Sequence, residues 1–342
     1  MKGLYAYLGD LIHTMNGKVE DLIQKAYESL KAGDEETALG FLKEALKIDF
    51  EHQEVLYALK CLNWWLEKIQ HLGDFSNPYE QGVFILSHWE SYHRFLDRIG
   101  EEWLPQKEAC DSCQYALKRF VFTRALYFFL ALLRNEVNQQ DPELLLQTGR
   151  CCKGAGEWEE ALVYLEQAGR LKREDSAILS ELADVNALLG ETRVAKVLFR
   201  EAFYLDPQGV DLWGLESELI LSLRDKVQEL GHLGNELAEW IPVWGCIWGI
   251  FSVKRELKPV ELGRLKQSIL SLENEYRSQN AGYKSAQVQF IKPRLLTRYF
   301  WLIDHCEHNR DTSGLSGLSA LIDETMLKIK FIDPAVHDRY RM

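Results

Sequence analysis

The amino-acid sequence predicts an all-α protein in which helical hairpins stack in a row and a non-repeating group of helices closes the end. Three observations carry this expectation. Two adjacent segments in the middle of the chain repeat one another without a gap. Apolar residues in the long stretches on either side recur at three- and four-residue spacing, the period of a half-buried helix. Only two short pieces, IFSVKREL and SAQVQFI, show an alternation that would suit strands.

At 342 residues the chain is long enough for two or three units or one elongated array. With 46% hydrophobic and 11% aromatic residues it belongs to the folded class, because disorder goes with low hydrophobicity and high charge. The formal net charge of −12 would repel a phosphate backbone, so nucleic acid is not an expected partner. The opening MKGLYAYLGDLIHTMNG is interrupted by Asp10 and His13 and is not followed by a small-residue cleavage site, unlike a secretory signal. No window reaches the ~18 to 20 apolar residues of a transmembrane segment. Seven cysteines, an odd number, suggest free thiols in a reducing compartment, and the expected location is cytoplasmic.

Residues 1–17 read as an N-terminal helical segment, 18–222 as the hairpin array and 223–342 as the cap. The repeat is clearest in PELLLQTGRCCKGAGEWEEALVYLEQAGRLKRED from Pro142 and SAILSELADVNALLGETRVAKVLFREAFYLDPQG from Ser176. Leu145 matches Leu179, Gly149 matches Ala183, Gly156-Glu157 matches Gly190-Glu191, and Ala161, Leu165 and Ala168 match Ala195, Phe199 and Ala202. The offset is about 34 residues. Small residues belong where two helix axes approach to ~8 to 10 Å, here Gly149 with Ala161 and Ala183 with Ala195. Leu165 and Phe199 follow one turn later on the same face. The Gly-Glu pairs end one helix and open the next, and Asp206-Pro207 stops the second hairpin.

This pattern resembles the tetratricopeptide-repeat family, whose units are about 34-residue helix–turn–helix hairpins stacked into a right-handed solenoid. The clear units are about 19–52, 142–175 and 176–209. The first of these, DLIQKAYESLKAGDEETALGFLKEALKIDF, has Ala26, Gly33-Asp34, Ala38, Leu42 and Ala45 in register and Phe50 where the family usually has proline. A degenerate unit is expected around ACDSCQYALKRFVFTRALYFFLALL, with Cys113 on a first helix, Phe120 at the turn, and Ala125 and Phe129 on a second helix. Register is broken between Lys60 and Trp103, and after Pro207 Trp213 stands at the family's first-helix tryptophan without a second-helix alanine signature.

In the C-terminal third, Arg224 to Glu239, Pro259 to Arg277, Pro293 to Glu307 and Leu315 to Phe331 show helical spacing, with Pro259 and Pro293 suited to first helical positions and a polar loop from Ser278 to Ser285. The run AEWIPVWGCIWGIF, Ala238 to Phe251, needs cover. Leaving Trp240, Trp244, Ile247, Trp248 and Phe251 in water would forfeit on the order of 10 kcal/mol. The expected role is a seal between the last repeat and the C-terminal helices, with a partner patch or membrane contact as alternatives. Pro242, Gly245 and Gly249 predict a bent or looped segment.

Chemistry-bearing residues each have an ordinary structural explanation. Cys110-x-x-Cys113 suits a redox pair or half a zinc site but lies in a helix with no second pair, and Cys151-Cys152 is explained by packing. His305-Cys306-x-His308 sits near a helix end, and Glu90/His93 and Glu229/His232 have the spacing used by carboxylate-bridged metals. There is no Walker loop, dinucleotide fingerprint, HExxH or GxSxG. No catalytic residue, metal or cofactor is therefore assigned.

By resemblance, a partner protein or peptide is expected in the concave groove lined by the first helices: Glu20, Ile23 and Tyr27, then Leu146, Arg150 and Lys153, then Ser180, Asp184 and Ala187, then Asp211 and Glu218. The family's chaperone-tail clamp places Lys and Asn four apart on a first helix. Here the equivalent pairs are Ile23/Tyr27, Leu146/Arg150 and Ser180/Asp184, so the clamp is absent and a helical or extended peptide with apolar anchors is expected. The expected function is that of a non-enzymatic scaffold or adaptor. The alternatives are a metal-dependent helical enzyme and a structural subunit of a large assembly such as a flagellar or secretion machine.

Overall fold

The computed structural model describes residues 2–100, 103–252, 255–280, 288–313 and 316–340. Every regular element among them is helical. The segments expected as strands contain none: residues 255–257 are irregular and 288–291 open a helix, while 253–254 and 285–287 lie outside the described residues. No helix among the described residues is long and apolar enough to cross a membrane. The chain forms two compact units, Met1–Leu171 and Lys172–Met342.

The first unit contains α1 (Lys2–Lys31), α2 (Glu35–Ile48), α3 (Gln53–Ile69), α4 (Pro78–Leu96), α5 (Lys107–Leu133), α6 (Pro142–Gly154) and α7 (Trp158–Leu171). The second begins with α8 (Ser176–Leu188) and α9 (Thr192–Leu205). Three helix pairs, α1–α2, α6–α7 and α8–α9, are hairpins closed in the same way. Each turn places a glycine in the left-handed region, Gly33, Gly156 and Gly190 at φ 82°, 79° and 87°. The glycine N–H bonds three residues back and the next N–H five residues back: Gly156 to Lys153 and Glu157 to Cys152, Gly190 to Ala187 and Glu191 to Asn186, Gly33 to Leu30 and Asp34 to Ser29. These are paired bonds of the Schellman kind, which satisfy carbonyls left over at a helix end. The second helix then starts at once; in the first hairpin Asp34 accepts the N–H of Thr37 at 3.0 Å.

Inside the hairpins, Ala26, Ala38, Leu42 and Ala45, then Ala161, Leu165 and Ala168, then Ala183, Ala195, Phe199 and Ala202, are all completely buried. At Gly149 a methyl group would lie 2.5 Å from Cγ of Leu165. The glycine therefore sets how closely α6 and α7 approach.

The degenerate unit expected around Cys110 to Leu132 is not a hairpin. Helix α5 runs without interruption from Lys107 to Leu133, and Phe120, expected at a turn, is a completely buried helical residue. No glycine stands near Phe120 to take the left-handed conformation that closes the other hairpins, so the helix continues. α5 pairs instead with α4, where Gly82 leaves room for the Phe129 ring, 2.5 Å from an imagined methyl. The register break between Lys60 and Trp103 is filled by α3, a short 3₁₀ turn at Gln70–Asp74, and α4.

The rest of the second unit comprises α10 (Glu218–Glu229), α11 (Asn235–Ile247), α12 (Pro259–Asn280), α13 (Val288–Ser313), α14 (Ser316–Ile332) and α15 (Pro334–Tyr340). The single helix expected over Arg224 to Glu239 is two, divided where Gly231 and Gly234 adopt φ of 92° and 56°. Trp213 is not on a helix but in the turns before α10 and is 71% exposed, with the Arg224 guanidinium 4.9 Å from its ring centre. Pro293 lies inside α13 rather than at its start. The polar loop expected at Ser278 to Ser285 begins with the last residues of α12; 281–287 lie outside the described residues.

The tryptophan run, expected to be bent or looped, is helical as far as Ile247 and turns back over 248–251. α11 passes through Pro242, which is buried, forgoing one N–H to the Ala238 carbonyl, and ends at Ile247, followed by Trp248 as cap and Gly249 at φ 70°. Trp240, Trp244 and Phe251 are buried, and Trp248, stacked on Trp244, remains 38% exposed. Phe251 folds back under the helix against Phe199 and Phe203, ring centres 6.2 and 5.8 Å away, and meets Gly245, where a methyl would be 2.4 Å from its ring. The run thus covers α9 and joins Leu295, Leu296 and Phe300 of α13 in one core.

Buried charges tie these helices together. Arg200 on α9 pairs with Asp304 on α13 at 2.8 Å, both almost fully enclosed, and Ser252 donates to the same carboxylate at 3.2 Å. Glu239 on α11 receives Arg294 of α13, Nε to Oε2 at 2.8 Å, and the side-chain amide of Gln208 at 3.0 Å.

Replacing Gly149 by Ala is expected to lower stability by about 1–3 kcal/mol through overpacking against Leu165. Gly40 on α2 is exposed and its methyl would meet nothing within 4 Å, so Gly40→Ala is expected to raise stability by about 0.5–1 kcal/mol. Urea denaturation of the two variants checks the opposite signs.

Candidate binding surfaces

The residues expected to line a groove divide by burial. In the first unit Ile23 and Tyr27 are buried, the Tyr27 hydroxyl donating to Glu54 on α3 at 3.0 Å. Burial pushes that phenol well above its usual pKa. Leu146 and Lys153 are buried as well, whereas Arg150 is half-buried and Glu20 exposed. Gly154, beside Lys153, lies under the Phe122 ring of α5. In the second unit Ser180 is buried with its hydroxyl on the Ala177 carbonyl, Ala187 is half-buried, and Asp211 and Glu218 are exposed.

Asp184 is completely buried. Its two oxygens accept the N–H groups of Glu216 and Ser217, each at 2.8 Å, and so hold the residues that open α10. A carboxylate placed on the first turn of a helix favours that turn through its N–H groups and dipole. Spacing on α8 places Asp184 on the groove face; it does not reveal the bond to a segment 32 residues away, which occupies the carboxylate.

The thiol and imidazole groups take structural places. Among the described residues all seven cysteines are free and no group of three or more His, Cys, Asp or Glu is arranged to hold a metal ion. Cys113 is buried beside Cys61, and Cys151 and Cys152 are buried, with the Cys152 thiol pushed up to about 12. His232 stacks on Trp240, ring centres 4.4 Å apart, and His93 stands edge-on to Trp89 at 5.1 Å. The Glu90 side chain lies outside the described ones. His305 accepts the Leu257 N–H on Nδ1 at 3.0 Å.

Several clefts among the described residues are open to a ligand, and two of them are lined with aromatic side chains. In the second unit Leu179, Tyr204, Leu265 and Trp301 surround a space of about 160 Å³. Its charges answer one another: Arg255 reaches Glu201 at 3.3 Å and Glu261 at 3.1 Å, and Arg264 reaches Glu174 at 2.8 Å. Burial raises the Glu201 carboxyl pKa. In the first unit a larger space, about 380 Å³, opens between α3 and α4. It lies in the stretch where the repeat register is lost, and local spacing gave no sign of it. The aromatic density of NWWLEK and SHWESYHRFL is the signal that marks it. No family model, curated protein or solved structure matches the chain.

The His305 bond has a pH consequence. Burial lowers the imidazole pKa, and an Nδ1 that accepts an N–H carries no proton. Folding thus favours the neutral ring: the stabilisation is complete above the unfolded value near ~6.5 and is lost as pH falls below it. Melting temperature is expected to fall between about pH 7.5 and about pH 5.5. His305→Asn, which retains an acceptor without titrating there, is expected to narrow that difference, as differential scanning fluorimetry will read.

Proposed function

We propose that this chain is a non-enzymatic scaffold of tetratricopeptide type, an adaptor that holds a protein or peptide partner in the cytoplasm. One observation carries the reading: three hairpins at different points of the chain share the same left-handed glycine turn, the same pair of turn hydrogen bonds and the same completely buried small residues. A unit repeated to this degree is the building block of arrays that present extended surfaces. Ile23, Tyr27, Leu146, Lys153, Ser180 and Asp184 serve packing and anchoring in this reading. Contact with a partner then falls to the residues left at the surface: Glu20 and Arg150 in the first unit, and Ala187, Asp211 and Glu218 in the second.

Cross-linking the protein in its native host, followed by mass spectrometry, is expected to return a stoichiometric protein partner with links near these residues, and Arg150→Glu to weaken the link while leaving the far-ultraviolet circular dichroism unchanged. Elemental analysis of the purified protein supplies the opposing outcome. Stoichiometric iron or zinc would replace the adaptor by a metal-dependent protein.

A further inference from the structure

The Cys110-x-x-Cys113 motif finds a third thiol in the fold of the first unit. α3 packs against α5 so that Cys61 lies thiol to thiol with Cys113, and neither side chain has exposed surface. The next residue on α5 shows the closeness independently: the Gln114 side-chain amide donates to the Cys61 sulfur at 3.8 Å and to the Tyr57 hydroxyl at 2.8 Å. That hydroxyl in turn reaches both Cys61 and Cys110. Gln114 is only half-buried, so the Cys61 sulfur lies one side chain below the surface. Cys110, also half-buried, keeps its S–H on the Pro105 carbonyl at 3.7 Å and stays out of the contact.

The two contacting thiols stand in unlike surroundings. Cys61 is ringed by donors, the Cys113 S–H foremost, and these hold its pKa below the usual thiol value against the opposing effect of burial. The bond given to Cys61 raises the Cys113 pKa, and burial raises it further. On the far side of Cys113 stands Tyr27, whose hydroxyl donates to Glu54 at 3.0 Å. One sulfur is thus favoured as a thiolate, the form that attacks an oxidant, while its neighbour remains a thiol at contact distance. The other cysteines lack this division. Cys151 and Cys152, adjacent on α6, are both raised by burial, as are Cys246 and Cys306 in the second unit.

We infer that Cys61 and Cys113 form a reversible oxidation site, at which hydrogen peroxide closes a disulfide that staples α3 to α5. The Cys61 sulfur attacks one peroxide oxygen, the O–O bond breaks, and the departing hydroxide takes the Cys61 proton and leaves as water, with Cys61 as a sulfenic acid. The Cys113 sulfur then attacks the Cys61 sulfur, the S–O bond breaks, and the hydroxyl leaves with the Cys113 proton as a second water. The two thiols lose two electrons and the peroxide gains them. In a reducing compartment such a link is transient, because thiol exchange reopens it. The site goes beyond the adaptor reading and operates whether or not a partner is bound.

The test is peptide mapping by mass spectrometry of the folded full chain after hydrogen peroxide, with remaining thiols alkylated as the protein is unfolded. The peptides of Cys61 and Cys113 are expected to be linked, and the link to vanish with dithiothreitol. Linking closes a loop of roughly 50 residues in the unfolded chain, so the unfolding midpoint is expected to rise by several degrees. Cys113→Ser is expected to leave Cys61 as a sulfenic acid, which dimedone captures on unfolding; Cys61→Ser is expected to give neither the link nor dimedone on Cys113. Cys110→Ser is expected to keep the link. Failure of the wild-type chain to link at peroxide levels that fully oxidise glutathione would overturn the inference. So would a link from Cys61 to Cys110 or between two chains, dimedone on Cys113 in the Cys61→Ser variant, or a linked protein whose midpoint does not rise.

Discussion

Backbones in this protein come together at points where there is no room for a side chain, and most of the architecture follows from those points. A glycine or alanine at a helix crossing lets a large residue from the partner lie flat across it. Leu165 covers Gly149, Phe129 covers Gly82, Phe122 covers Gly154 and Phe251 covers Gly245. The first three pairs each fix the separation of two helices and their sliding register, because only one height along the helix offers the gap, and the fourth folds the chain after α11 back onto that helix. The dispersion energy of such contacts is small per atom and large in sum. What distinguishes them from ordinary core packing is that alternative alignments place a Cβ where an aromatic ring must go.

In the second unit, polar groups add a further layer of specification. Arg200–Asp304 and Glu239–Arg294 lie within a core otherwise built of Trp, Phe and Leu. Burying such pairs costs desolvation, which their mutual attraction offsets only with good geometry and additional donors; Ser252 and Gln208 supply the donors. The pairs make α9, α11 and α13 recognise one another. Hydrophobic surfaces alone would tolerate several ways of stacking these helices. Asp184 extends the same logic to the start of α10, where a chain segment without helical structure must be pinned before the next helix can begin.

The hairpins were legible in the sequence because everything that makes them is local: a glycine that can turn left-handed, an acidic residue after it, and small residues at helical spacing. α5 was not, since a repeat template imposes a turn that the residues around Phe120 give no means of forming. The tryptophan run was correctly read as needing cover; the helix continues through Pro242 and the chain turns only after Ile247, where Gly249 takes the left-handed conformation. Those groove residues that proved buried were misplaced for a different reason. Spacing tells which side of a helix a residue lies on, but Tyr27 is covered by α3 and Asp184 is occupied by residues 216 and 217, and both facts depend on segments about thirty residues away. The α3–α4 cleft had no template at all; only its aromatic density set it apart.

Helix α5 deserves a last consequence. Twenty-seven residues at ~1.5 Å each make a rod of roughly 40 Å, and within the first unit it touches α1, α3, α4 and α6 in turn. Near Cys113 it meets α1 and α3, and further along Phe122 and Phe129 reach α6 and α4, so one continuous helix ties both hairpins of the first unit to the pair between them.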